Sequence, residues 1–224
     1  MNEVKGVRSG RQARQVQRSA KAGPGRPYIV RNIPTYDVLS EENLLRIEAA
    51  ADRVLAETGI EFRDDPVALD HWRRAGADVQ GLLVKFPPGM LRDILKSAPA
   101  TFTQHARNPA NSVQIGGRNV VFAPAYGSPF VMDLDRGRRF GTLEDFRNFI
   151  KLAQSSPNFH HSGGTICEPT DIAVNKRHLD MVLAHIELSD RPYMGSVTAE
   201  SRAEDSIEMS RIVFGRDFVD QNCV

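Results

Sequence analysis

The stretch TLEDFRNFIKLAQSSPNFHHSGGTIC, residues 142–167, carries the pattern that decides the fold. Thr142 precedes an apolar stripe, and Asp145 stands three residues on, close to a capping box. Phe146, Phe149, Ile150 and Ala153 recur at helical spacing. Residues 159–167 then read as a strand that ends in a Gly-rich turn. A helix is expected over 176–188, burying Leu179, Val182, Leu183 and Ile186, and a strand over 192–197. Ser201-Arg202-Ala203-Glu204 reads as a second capping box, opening a helix through Met209, Ile212 and Val213 to Gly215. Residues from 219 onward read as the lead-in to another strand. Strand and helix thus alternate every 35 residues or so, roughly the rhythm of βα units on a parallel sheet. A closed barrel needs eight such units and about 250 residues. These residues hold a leading helix and room for few units, so the expectation is an open part of such a fold; a small complete α/β protein is the alternative.

Upstream the grammar differs. Ser40 begins a helix with Glu41 and Glu42 in its first turn, where acids suit the dipole. Leu44, Ile47, Ala51, Val54 and Leu55 follow at helical spacing, and Gly59 ends it. Ile60-Glu61-Phe62 reads as a strand, Asp65-Pro66 as the start of a helix that stops at Gly76, and 83–86 as a strand. A helix from Pro88 and a strand over 101–106 come next. Val113-Gln114-Ile115 and Val120-Val121-Phe122 flank Gly116-Gly117-Arg118-Asn119, a hairpin signal. A strand over 130–134 and a turn at Asp135-Arg136-Gly137 complete the region. The expected organisation is a basic disordered tail over 1–33, an α+β segment over 34–140, and βα units over 141–224.

The bulk numbers suit a globular protein: 41% hydrophobic residues, 25% charged and a net charge of +1. The charge is uneven. Lys5, Arg8, Arg11, Arg14, Arg18, Lys21, Arg26 and Arg31 face a single acid, Glu3, in the first 31 residues. Without aromatics before Tyr28 the tail lacks stacking groups for single strands, and nucleic acid is not an expected partner. Cys167 and Cys223 are the only cysteines, which argues for a reducing compartment and against a disulfide scaffold or a cysteine-built zinc site. No apolar run is long enough to span a membrane and no apolar signal core opens the chain, so a cytoplasmic location is expected.

Candidate chemistry is sparse. His160-His161 suggests metal, but neighbours on a regular strand point to opposite faces and no HExxH-type spacing supports them. No metal site is expected; the alternative is one histidine facing the sheet interior and one under a helix. Ser162-Gly163-Gly164-Thr165 is a weak anion signal, or a glycine kink that admits another backbone. Tyr126 offers a face to a quaternary or protonated amine, an attraction of about 0.5–2 kcal/mol, or else packs in a turn. Glu168 follows the expected strand, at an active face or in an exposed loop. His178 and His185, seven apart on one stripe, are read as a solvated helix edge.

The specific signal is an order of segments. Leu55-Ala56-Glu57-Thr58-Gly59-Ile60-Glu61-Phe62 comes first, then Ala75-Gly76-Ala77-Asp78-Val79, Val84-Lys85-Phe86-Pro87 and Ala98-Pro99. Phe102-Thr103-Gln104-His105-Ala106-Arg107, Asn108-Pro109 and Val113-Gln114-Ile115-Gly116-Gly117-Arg118 follow. Asp133-Leu134-Asp135-Arg136-Gly137-Arg138-Arg139, Thr142-Leu143-Glu144-Asp145 and Pro157-Asn158 complete it. This succession resembles the trimethylamine methyltransferase family, over most of the chain except the basic tail. The resemblance implies an α/β fold: an incomplete TIM-type (β/α) barrel preceded by an α+β N-terminal segment, here as an amino-terminal part. It implies methyl transfer from a tertiary or quaternary amine to the cobalt of a corrinoid carried by a separate protein, with no cofactor bound by this chain itself. A fragment alone is expected to be inactive; a homo-oligomer is conceivable at full length. Members acting on trimethylamine carry a pyrrolysine later in the barrel, and none is written here. No catalytic motif carries over residue by residue. The expected substrate-binding residues are therefore geometric: Tyr126, His161, Thr165, Glu168 and Thr198, in loops or near strand ends, with His161 and Thr165 on one face if the strand is regular. The rival reading is a non-catalytic α/β interaction module with a basic tail.

Overall fold

The computed structural model describes residues 29–34 and 36–224. The basic tail expected over 1–33 lies almost wholly outside the described residues. The chain divides into two compact units: Asn32–Ala100, and a larger one whose described part is Ile29–Arg31 with Thr101–Val224. The sequence pattern changes at 140/141, but the division comes after Ala100. The reason is packing: Val131 from the hairpin region shares a core with Phe146 and Ile150.

In the smaller unit, α1 (Glu41–Glu57) is capped by Ser40, whose hydroxyl accepts from the Asn43 N–H. α2 (Pro66–Ala75) starts at Asp65, which accepts from Ala68 N–H, and ends at left-handed Gly76. A three-stranded antiparallel sheet runs in the order β2 (Ile60–Glu61), β4 (Leu83–Lys85), β3 (Asp78–Gln80), with α3 (Met90–Leu95) after it. The sequence reading missed β3. Leu69, Val84 and Phe86 form the core, ringed by Leu55, Phe62, Trp72 and Val79. Trp72 meets Phe86 edge-on at 4.9 Å. Gly59 has φ +75°, and a Cβ there would fall 2.5 Å from the Val84 carbonyl oxygen.

In the larger unit, β5 (Thr101–Gln104) pairs antiparallel with β6 (Val113–Gly116), and β7 (Asn119–Val120) with β1 (Ile29–Val30). The expected hairpin between 113–115 and 120–122 is thus corrected. Its turn is present, held by Asn119 Nδ2 donating to Gly116 O at 2.9 Å, but each arm ladders with a different strand. β8 (Phe130–Asp133) and β9 (Gly137–Phe140) form a hairpin around the expected turn. α4 (Leu143–Ser155) begins with a complete capping box between Thr142 and Asp145. α5 (Arg177–Leu188), α6 (Glu200–Phe214) and α7 (Arg216–Gln221) follow.

Other expectations are corrected. α6 starts at Glu200 with Ala199 at its cap position, so Ser201 lies inside the first turn and forms no capping box. α7 takes up residues 219–221 of the expected strand lead-in, and the lead-in follows it: Cys223 forms a parallel bridge with Gln104, and His105 N–H donates to Cys223 O at 2.8 Å. Residues 159–167 and 192–197 carry no regular strand. The chain bends at His160, His161, Gly164 and Ile166, and hydrogen bonds tie the segments in parallel: His160 N–H to Phe122 O at 2.9 Å, Glu168 N–H to Ser128 O at 2.9 Å, and Met194 N–H to Gly163 O at 2.9 Å. The ladder breaks at Gly163, whose φ of +101° puts a bulge into it. The outcome is a mixed α/β unit of small antiparallel sheets, helices and irregular segments bonded in parallel, with no closed barrel among the described residues. Phe146 and Ile150 are fully buried between α4 and α5, each worth roughly 1.5–3 kcal/mol.

Candidate functional site

Three segments, 122–128, 160–168 and 192–194, are joined by backbone hydrogen bonds in the larger unit. Gly127 N–H donates to Thr165 O at 2.7 Å, and Ser128 forms a parallel bridge with Cys167. The backbones at Tyr126, Thr165 and Glu168 therefore come together at the C-terminal ends of neighbouring segments. Tyr126 is half exposed, and partial burial pushes its hydroxyl pKa up, so it stays a neutral phenol. Glu168 is not a free carboxylate. Arg177 Nη1 donates to its Oε2 at 2.8 Å, and Arg177 Nη2 donates to Ile172 O at 3.3 Å. The pair closes the loop over 168–177. Thr198 is held separately: Arg202 Nη1 donates to its Oγ1 at 2.5 Å, while Nη2 reaches Val174 O at 3.2 Å. That arginine links the loops that follow two of these segments.

His161, on the same segment as Thr165, is 3% exposed. Its Nδ1 accepts from Gly163 N–H at 2.9 Å. Burial, reinforced by neighbouring His185, pushes its pKa down to about 4. His161 and Thr165 are not on one regular face, because the bulge at Gly163 intervenes. The other members of the buried polar layer escaped the sequence reading. His178 and His185 are 4% and 1% exposed, not a solvated edge. His178 Nε2 meets Asp205 Oδ2 at 2.7 Å. His185 Nε2 donates to Gly164 O at 3.1 Å, and burial pushes its pKa down to about 4. A signal was present: His178, Met181, Val182 and His185 follow i, i+3, i+4, i+7, the spacing of a buried stripe.

The rim thus offers an aromatic face, a threonine and a carboxylate already matched by an arginine. The nearby nucleophiles do not serve it. Ser162 is fully buried with its hydroxyl between His185 Nδ1 and Pro192 O. Burial, followed by the charge of Asp145, pushes the Cys167 thiol up to about 11. Among the described residues no group of three or more His, Cys, Asp or Glu is arranged to hold a metal ion, and no helix is long and apolar enough to cross a membrane.

Comparison with known proteins adds a family. Residues 7–224 match the family model described as Trimethylamine methyltransferase (MTTB). The chain is 48% identical over 183 residues to the glycine betaine methyltransferase of Desulfitobacterium hafniense (strain Y51), covering 82% of this chain and 38% of that one. It is 30% identical over 151 residues to the proline betaine:corrinoid methyltransferase of Eubacterium limosum, covering 65% of this chain and 30% of that one. Over 85 residues it is 34% identical to the trimethylamine methyltransferase MttB of Desulfitobacterium hafniense (strain DSM 10664 / DCB-2), covering 37% and 17%. It spans well under half the length of these relatives.

Proposed function

This chain belongs to the trimethylamine methyltransferase (MTTB) family, and from that premise we propose that it forms part of an enzyme demethylating a betaine-type quaternary amine. The methyl acceptor is the cobalt of a corrinoid on a separate protein. The observation that carries the reading is the 48% identity to a glycine betaine methyltransferase across 82% of the chain.

The chemistry asks little covalent work of the polypeptide. The methyl carbon leaves nitrogen, the C–N electron pair stays on nitrogen, and a neutral tertiary amine results. The partner's reduced cobalt supplies the nucleophile. The protein must hold the ammonium group, exclude water and align the methyl. In this proposal the ring face of Tyr126 attracts the quaternary nitrogen. Thr165 supplies a hydroxyl, and the Glu168–Arg177 pair fixes the loop wall without an unbalanced charge. His161 lies beneath as a neutral floor. The parallel segments over 122–194, with α4 and α5 alternating between them, are the first part of a TIM-type barrel. These 224 residues alone are proposed to be inactive.

The test is methyl transfer by the full product of the locus. It is mixed with a competent reduced corrinoid protein and, separately, glycine betaine, proline betaine and trimethylamine. A corrinoid absorbance change on methylation with a betaine, and none with trimethylamine, is expected. A response to trimethylamine alone would overturn the betaine reading; silence across the panel would remove the methyltransferase reading.

A further inference from the structure

Ladder bonding fails at residues 162–164, and side chains replace it there. Ser162 N–H donates to Pro192 O at 2.9 Å, but the next link runs from Met194 N–H to Gly163 O at 2.9 Å. A regular parallel pair would use the carbonyl of Ser162 itself. The extra residue leaves Gly163 N–H and Gly164 O without ladder partners. His161 Nδ1 takes the first at 2.9 Å. His185 Nε2 takes the second at 3.1 Å, sharing that carbonyl with Ile166 N–H at 2.9 Å.

We infer that His161 and His185 are positioning residues whose neutral imidazoles hold this bulge, and with it the Thr165–Glu168 rim, so that proton uptake loosens the rim. The inference rests on hydrogen-bond geometry and does not depend on the proposed reaction. A carbonyl only accepts, so the proton of His185 sits on Nε2 and its Nδ1 accepts from the Ser162 hydroxyl at 3.0 Å. An N–H only donates, so Nδ1 of His161 is bare and its proton sits on Nε2.

The two imidazoles differ once charged. A charged His185 has a second hydrogen-bond set at hand: Nδ1–H to Ser162 Oγ, and the Ser162 hydroxyl to Pro192 O at 2.9 Å. A charged His161 has none at Nδ1, where N–H would oppose the N–H of Gly163. Proton uptake at His161 is therefore the event that breaks the bulge. Among the described residues, no carboxylate paired with either ring offsets the charge. His185 meets the edge of Phe146 at 5.3 Å and stacks on Tyr193 at 6.0 Å, whose hydroxyl is bonded to Ser210. His161 faces His185, so charging one opposes charging the other. Among the described residues no carboxylate pairs with either; the histidine that has one is His178, with Asp205. Burial already holds both pKa values down to about 4. The consequence travels outward, because Thr165 O receives Gly127 N–H beside Tyr126.

Imidazole and backbone NMR on this protein from pH 8 to pH 4 tests it. Both rings should show the Nε2–H tautomer and begin to titrate only below about pH 5. The amides of Gly163 and Gly127 should shift with the His161 midpoint, while those of Asn32–Ala100 stay unmoved. His161→Asn keeps an acceptor for Gly163 N–H and should abolish the acid response of the Gly127 amide; His161→Leu should shift that amide even at pH 8. Titration of His161 near its ordinary value would overturn the inference. So would a Gly127 amide indifferent to His161, or one shared transition of all amides, which is global unfolding.

Discussion

In Asn32–Ala100 the buried core side chains are Leu69, Val84 and Phe86; in Thr101–Val224 the buried set includes Asp145, His160, His161, His178, His185 and Arg191. The smaller unit coheres by apolar contact, which is non-directional and indifferent to protons. The larger unit must find a partner for each buried polar atom, since an unmet one costs about 1–3 kcal/mol. It mostly succeeds. Asp145 is held by Arg139 and by both the hydroxyl and N–H of Thr142, and these keep its pKa well below the usual carboxylate range. Arg191, 1% exposed, donates through Nη2 to Gln154 O and Ser156 O at the end of α4. The difference teaches that the candidate rim stands on the part of the molecule most sensitive to geometry and protonation.

Acid should separate the units most sharply. His161 and His185 have folded values of about 4, below the ordinary 6.5, so the unfolded chain takes up protons first. Their contribution is complete above about pH 6.5 and is lost as pH falls toward 4. Trp72, the sole tryptophan, reports only on the smaller unit. Urea unfolding followed by Trp72 fluorescence should change little between pH 7 and 5, while the amide exchange of α5 accelerates. Equal loss in both units would erase the contrast.

Phe86→Ala should act in the opposite sense. Removing a 3%-exposed ring should cost the smaller unit about 3–5 kcal/mol, read in the Trp72 transition, with amide protection in α4 and α5 retained. Gly59→Ala combines a positive φ with a Cβ 2.5 Å from a backbone oxygen. It should lower the same transition by roughly 1–3 kcal/mol. Thr142→Ala should be the mildest, about 1 kcal/mol against the larger unit for a lost N-cap, visible as faster exchange in the first turn of α4. Thr142→Ser, which keeps the hydroxyl, should restore most of it.

Elements set by local chemistry were legible in the sequence. Ser40, Asp65 and Thr142 cap the helices they announce, and Asp135-Arg136-Gly137 turns a real hairpin. Long-range choices were not. The arm before Gly116-Gly117 pairs with 101–104 just upstream, while the two-residue arm after it pairs with the distant 29–30, because nothing local fixes so short a partner. Residues 159–167 carry strand composition, yet Gly163 breaks the ladder and imidazoles replace it. Leu179 and Leu183 made the wrong stripe of α5 attractive; they are 37% and 41% exposed, while His178 and His185 face inward. Polar residues on a core stripe read as surface until their partners, here Asp205 and Gly164, are known. Of the expected site residues, backbone hydrogen bonds link the segments that carry Tyr126, Thr165 and Glu168, His161 is buried, and Thr198 is held by Arg202. The pairing of Glu168 with Arg177 was not visible, since nine residues of loop and helix start separate them.

The most direct measurement follows the amine product. The full product of the locus is incubated with a reduced corrinoid protein and glycine betaine carrying ¹³C in its methyl groups, and the amine is observed by NMR. Formation of N,N-dimethylglycine, one per corrinoid methylated and dependent on both proteins, is the result predicted. Glycine betaine left intact beside a corrinoid protein proven competent with another methyl donor would contradict it.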